Sequence, residues 1–70
     1  MTDKKTMTLN LSEEEMASLE NLALRNDMTK TAVIKKAIRI YLVLEMRMRQ
    51  GERLYVEDES HQAKVELLLV

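Results

Sequence analysis

The sequence predicts a mainly α-helical fold with a short N-terminal β-strand, completed only by a second copy of the chain. Three observations carry that expectation. Seventy residues make one small domain at most, and a chain this short rarely buries enough apolar surface alone. It has no Cys and a single His, His61, so neither disulfides nor a thiolate or His-rich metal site can staple it. One strand pattern also precedes two helix patterns, and a lone strand must find its backbone partner elsewhere.

Composition narrows the class. Hydrophobic residues are 46% of the chain and charged residues 33%. That is too apolar for a disordered tail and too charged for a membrane span. The longest uncharged apolar run, Ile40–Leu44, falls far short of the roughly 20 residues a bilayer requires. Met1-Thr2-Asp3-Lys4-Lys5 has no apolar stretch behind it, so it does not read as a signal peptide. A cytoplasmic location is expected, with no membrane partner. Tyr41 and Tyr55 are the only aromatic residues, too few for a base-stacking platform on single strands. Residues 1–51 carry nine basic and seven acidic side chains, a net of +2, while 52–70 carry two and five, a net of −3.

The elements follow in order. Residues 1–5 are a polar, flexible arm. Thr6–Leu11 alternates strictly, with Met7, Leu9 and Leu11 on one face and Thr6, Thr8 and Asn10 on the other, which predicts a half-buried strand. Ser12 and Glu15 have capping-box spacing, and Glu13, Glu14 and Glu15 suit the positive end of a helix dipole. Met16, Leu19, Leu22 and Ala23 then recur at helical spacing, placing a helix at 13–25. Asn26-Asp27 breaks it, and Thr29 reads as the N-cap of a second helix from 30 to about 49. Its stripe is Val33, Ile34, Ala37, Ile38, Tyr41 and Leu42, continuing to Met46 and Met48, with Lys30, Lys35, Lys36 and Arg39 off it. Gln50-Gly51 is the stop. Arg53–Glu57 and Ala63–Val70 alternate again around a loop at Asp58–Gln62, a candidate β-hairpin; a short helix over 60–70 is the competing reading. Three parts result: the arm 1–5, a dimerisation and binding domain 6–50, and an acidic extension 51–70.

The economical partner for the lone strand is the same strand of a second chain, forming an antiparallel two-stranded ribbon in an intertwined homodimer. Met7, Leu9 and Leu11 then join Leu19, Leu22, Ile34, Ile38 and Tyr41 in a shared core. Thr6, Thr8 and Asn10 face outward. Such a ribbon fits the DNA major groove, where Asn pairs with adenine N6/N7 and Thr meets a base edge or a thymine methyl. The plainer reading is that Thr and Asn are ordinary exposed strand residues.

The stretch Thr6–Leu44, a little over half of the chain, resembles ribbon-helix-helix proteins of the CopG/Arc/MetJ type. The matching pieces are Met7-Thr8-Leu9-Asn10-Leu11-Ser12 before a helix, and Asp27-Met28-Thr29-Lys30-Thr31-Ala32-Val33-Ile34-Lys35-Lys36-Ala37-Ile38 at a loop and helix onset. Asp27 stands where the family usually has Gly. The resemblance implies a homodimeric, sequence-specific DNA-binding transcriptional regulator, most often a repressor or autoregulator. By position, Thr6, Thr8 and Asn10 would contact bases, and Thr29, Lys30 and Thr31 would clamp a phosphate. A helix N-terminus suits an oxyanion on physical grounds alone; as a plain N-cap, Thr29 would do no more than start the helix. Lys4 and Lys5 are weighed equally as phosphate contacts and as a solvated tail. Lys35, Lys36 and Arg39 read as a solvated face or ion-pair partners. Phosphate contacts of this number imply a log–log salt slope of roughly −4 to −7.

The extension 51–70 lies outside the resemblance. It either completes the dimer core, docks on another protein, or joins neighbouring dimers on DNA. Antitoxins of toxin–antitoxin pairs often join a ribbon-helix-helix module to a partner-binding C-terminal segment, so a toxin-binding antitoxin is the second reading. A structural dimer or adaptor without DNA is the third. An enzyme is not expected: Glu59, Ser60 and His61 are adjacent in a loop and not held in triad geometry. No cofactor or metal is expected either.

Overall fold

The computed structural model describes residues 4–67. Its elements are α1 at Glu13–Arg25, α2 at Lys30–Arg49, β1 at Leu54–Glu57 and β2 at Lys64–Leu67. The chain divides into two units, Met1–Ile34 and Lys35–Val70, and each is described by itself.

In the first unit, α1 begins on a complete capping box. The Glu15 amide donates to Ser12 Oγ at 3.1 Å, and the Ser12 amide donates to Glu15 Oε1 at 2.9 Å. Three carboxylates occupy the first turn, where the dipole favours them. The helix ends in a Schellman motif: the Met28 amide reaches Ala23 O at 2.9 Å and the Asp27 amide reaches Leu24 O at 3.3 Å. That closure puts Asp27 in the left-handed region, at φ 52°, a conformation usually left to Gly. Asn26 Nδ2 also donates to Leu22 O at 2.8 Å. Thr29 caps α2, its Oγ1 accepting from the Ala32 amide at 3.0 Å. Both helices occupy the ranges expected from their caps.

The N-terminal expectation requires correction. Lys4–Leu11 adopts no regular secondary structure, so the predicted strand at Thr6–Leu11 is absent. The order is helix, helix, strand, strand, not strand, helix, helix. The sheet is the C-terminal hairpin, not a ribbon of N-terminal strands, and the ribbon-helix-helix architecture expected for an intertwined homodimer is not formed. The reason is backbone accounting. A strand exists only where another backbone accepts its hydrogen bonds; β1 and β2 satisfy each other, and no described strand pairs with Thr6–Leu11.

In the second unit, α2 closes with the same motif as α1. The Glu52 amide donates to Arg47 O at 3.2 Å and the Gly51 amide to Met48 O at 3.0 Å. Here the left-handed position, φ 89°, is held by Gly51. An Arg47–Glu52 ion pair at 3.0 Å spans the turn. The hairpin pairs Leu54 with Leu67, Tyr55 with Glu66, Val56 with Val65 and Glu57 with Lys64. Period-two alternation therefore sorts its side chains: Leu54, Val56, Val65 and Leu67 on one face, Tyr55, Glu57, Lys64 and Glu66 on the other. The competing helical reading of 60–70 does not hold over the described part of that segment. Residues 1–3 of the arm and Leu68–Val70 of the expected second strand lie outside the described residues.

Burial is slight. Among the described residues Ala23, 8% exposed, is the one buried side chain. It sits two residues before the end of α1, and its carbonyl accepts the Met28 amide of the Schellman turn.

Candidate nucleic-acid interface

The N-terminal segment offers polar side chains without internal partners. Lys4, Lys5, Thr6, Thr8 and Asn10 are all exposed, and no described hydrogen bond or ion pair engages their side chains. The alternation does not sort this segment into an inner and an outer face within one chain. Met7 is 76% exposed and Leu9 is exposed too, while Leu11 is half-buried. Of the other residues assigned to a dimer core, Leu19 and Ile34 are half-buried, and Leu22, Ile38 and Tyr41 are exposed.

The two helix starts differ in what they offer an anion. At α1 the capping box consumes the Ser12 amide, and Glu13–Glu15 fill the first turn, so phosphate is repelled. The first turn of α2 holds no acidic residue. Thr29 serves the Ala32 and Val33 amides through its side-chain and main-chain oxygens. The Lys30 and Thr31 amides have no described partner and stand at the positive end of the helix. Exposed Lys30 and Thr31 side chains flank them, and the Thr29 hydroxyl proton remains free to donate. Asp27, two residues before Thr29, is the opposing charge. Lys35, Lys36 and Arg39 are exposed farther along α2, with no ion pair among the described residues.

The hairpin holds what the sequence reading missed. Lys64 Nζ lies 4.9 Å from the centroid of the Tyr55 ring, a cation–π contact. Arg53 pairs with Glu66 at 3.7 Å, and His61 Nδ1 lies 2.7 Å from Glu57 Oε1. Asp58 organises the loop. Its carboxylate accepts from the Ala63 amide at 3.2 Å, the Gln62 amide at 2.9 Å and Ser60 Oγ at 3.0 Å. These bonds, that of Ala63 foremost, hold its carboxyl below the usual carboxylate range against a smaller opposing effect of desolvation. Asp58 could have been suspected from its place before a Glu-Ser-His turn; the strand register that aligns Tyr55 and Lys64 diagonally could not. This region also frames an open cavity of about 350 Å³ lined by Leu44, Arg47, Met48, Arg53, Tyr55 and Lys64, among others.

No cluster of three His, Asp or Glu side chains among the described residues is placed to hold a metal ion. No described helix is long and apolar enough to cross a membrane. The chain matches no family model, and no curated protein or solved structure matches it.

Proposed function

We propose that the protein is a sequence-specific DNA-binding transcriptional regulator, a repressor or autoregulator, that acts as a homodimer in the cytoplasm. The observation that carries this reading is the contrast between the two helix starts. Both leave their first two amides without a described partner, but one sets three carboxylates around them and the other sets none, with Lys30 and Thr31 beside them. Phosphate contacts at Lys30, Thr31 and the Thr29 hydroxyl position the protein, with Lys4 and Lys5 adding charge. Thr6, Thr8 and Asn10 supply the hydrogen-bonding groups for base edges, where each good bidentate pair discriminates by about 1–3 kcal/mol. The resemblance to ribbon-helix-helix regulators supports the reading through sequence pattern alone. The strand it implies is absent from the structure, so the reading stands on these side chains.

The test is an in vitro selection of double-stranded DNA, run in parallel on the wild type and on Thr8→Ala/Asn10→Ala. Enrichment of a short repeated or palindromic site by the wild type alone is expected. Lys30→Ala weakens binding to all sequences alike and, removed from both subunits, lowers the salt slope by about 2. Equal enrichment by both proteins would remove base reading from Thr8 and Asn10, and enrichment by neither would reject the DNA reading.

The apolar hairpin face favours one second reading, an antitoxin-like role in which 51–70 binds a protein partner. Co-expression with a neighbouring gene product, followed by purification of a stable complex lost in Val56→Lys, would support it.

A further inference from the structure

Helix α2 carries two apolar stripes, and the second has no role in the reading above. At 100° per residue, Ile34, Ile38 and Tyr41 share one side of the helix. Lys36, Arg39, Ile40, Val43 and Arg47 fall within an arc of about 100° on the opposite side. Ile40 and Val43 are about half exposed, and with Lys36, Arg39 and Leu44 they line a shallow apolar groove of about 390 Å³. Cations thus border an uncovered apolar strip. The surrounding helix, residues 35–49, carries five basic side chains and one acidic, a net of +4.

The hairpin is the complement. Leu54, Val56, Val65 and Leu67 make one wholly apolar face, with Val65 still 59% exposed. Its charged strand residues project from the opposite face, so covering the apolar face buries none of them. Residues 52–67 carry two basic and five acidic side chains, a net of −3. Among the described residues both strands also keep an open edge, since the sheet has only two. Apolar surface meets apolar surface, and the hairpin segment's acidic excess, its strand charges behind the docking face, is opposite in sign to the basic helix segment.

We infer that the hairpin of one chain docks by its apolar face on the Lys36–Arg39–Ile40–Val43 stripe of a second copy. The contact is reciprocal, each chain giving its hairpin and receiving the other's, which closes the assembly under two-fold symmetry. It deepens the homodimer part of the proposed function by assigning a surface distinct from Ile34, Ile38 and Tyr41. If both surfaces are occupied, two dimers join into a tetramer.

The chain has no Cys, which makes the test direct. Ile40→Cys and Val65→Cys proteins, carrying different tags, are mixed and treated with a short bismaleimide. The mixed species is expected to exceed either homo-linked species several-fold. Val65→Lys, monitored by circular dichroism to confirm helix content, should weaken association at least tenfold in sedimentation equilibrium, because it seats a cation against the basic stripe. A mixture giving no mixed cross-link, or a Val65→Lys protein that sediments as the wild type, overturns the inference. Ile38→Asp separates the two surfaces. It should lower the mass while the mixed cross-link persists. If the cross-link persists and the mass is unchanged, the hairpin contact stands and the Ile38 face is not an interface.

Discussion

Replacing Asp27 by Gly tests whether the turn between the helices stores strain. Asp27 sits at φ 52° because the Schellman bonds from Met28 to Ala23 and from Asp27 to Leu24 require it. A left-handed conformation costs an L-residue roughly 1–2 kcal/mol, less for Asp, whose short polar side chain tolerates it. Gly removes that cost and returns part of it through a freer unfolded chain. No described hydrogen bond to the Asp27 side chain is lost. The net gain is about 0.5–1 kcal/mol, or about 2–8 °C in Tm for a domain of this size. The assay is thermal unfolding by far-UV circular dichroism at one fixed protein concentration. Asp27→Asn is the control. It removes the charge, which stands unfavourably at the end of α1 and favourably before α2, but keeps the Cβ. An Asn variant as stable as the Gly variant would mean that charge, not backbone strain, sets the effect. A Gly variant no more stable than the wild type would refute the strain argument outright.

Other perturbations address the caps and the hairpin. Ser12→Ala leaves the Glu15 amide without its acceptor and should cost about 1 kcal/mol, read from urea unfolding; an unchanged midpoint would show that water replaces the cap at no cost. Asp58 gives the hairpin a defined acid response. Its folded pKa is lowered, so its contribution is fully present above the unfolded value, 3.8, and is lost as pH falls through the lower folded value. Asp58→Asn should flatten that acid limb in amide NMR of Tyr55 and Val65, and an identical acid limb in the variant would assign it to another group.

What could be read from the sequence divides along a physical line. Helix limits follow from groups within four residues of each other: Ser12 with Glu15, Thr29 with Ala32, Gly51 with Met48. Those are local, and the sequence contains them. The hairpin was legible for a related reason, since its alternation and its loop are contiguous. The N-terminal strand was not. Its alternation is as regular as that of the hairpin, but alternation states only which side chains can share a face. Whether Thr6–Leu11 is a strand depends on a second backbone, and its sequence contains no information on that. The polar character of Lys4–Asn10 was equally plain, and the structure adds that these residues are exposed. The hairpin's cross-strand contacts were hidden because the register of Tyr55 against Glu66 depends on how Asp58 folds the loop.

The near absence of burial has a consequence for dose. A chain whose one buried side chain among the described residues is Ala23 gains little stability from its own interior, so any stability it has must come largely from what it binds. Free energy gained by binding grows with concentration. If the protein is the homodimer proposed above, its melting temperature is therefore not a fixed property of the chain but a readout of how much of it is present. Dilution alone would open it to proteases, so its lifetime and its abundance rise and fall together.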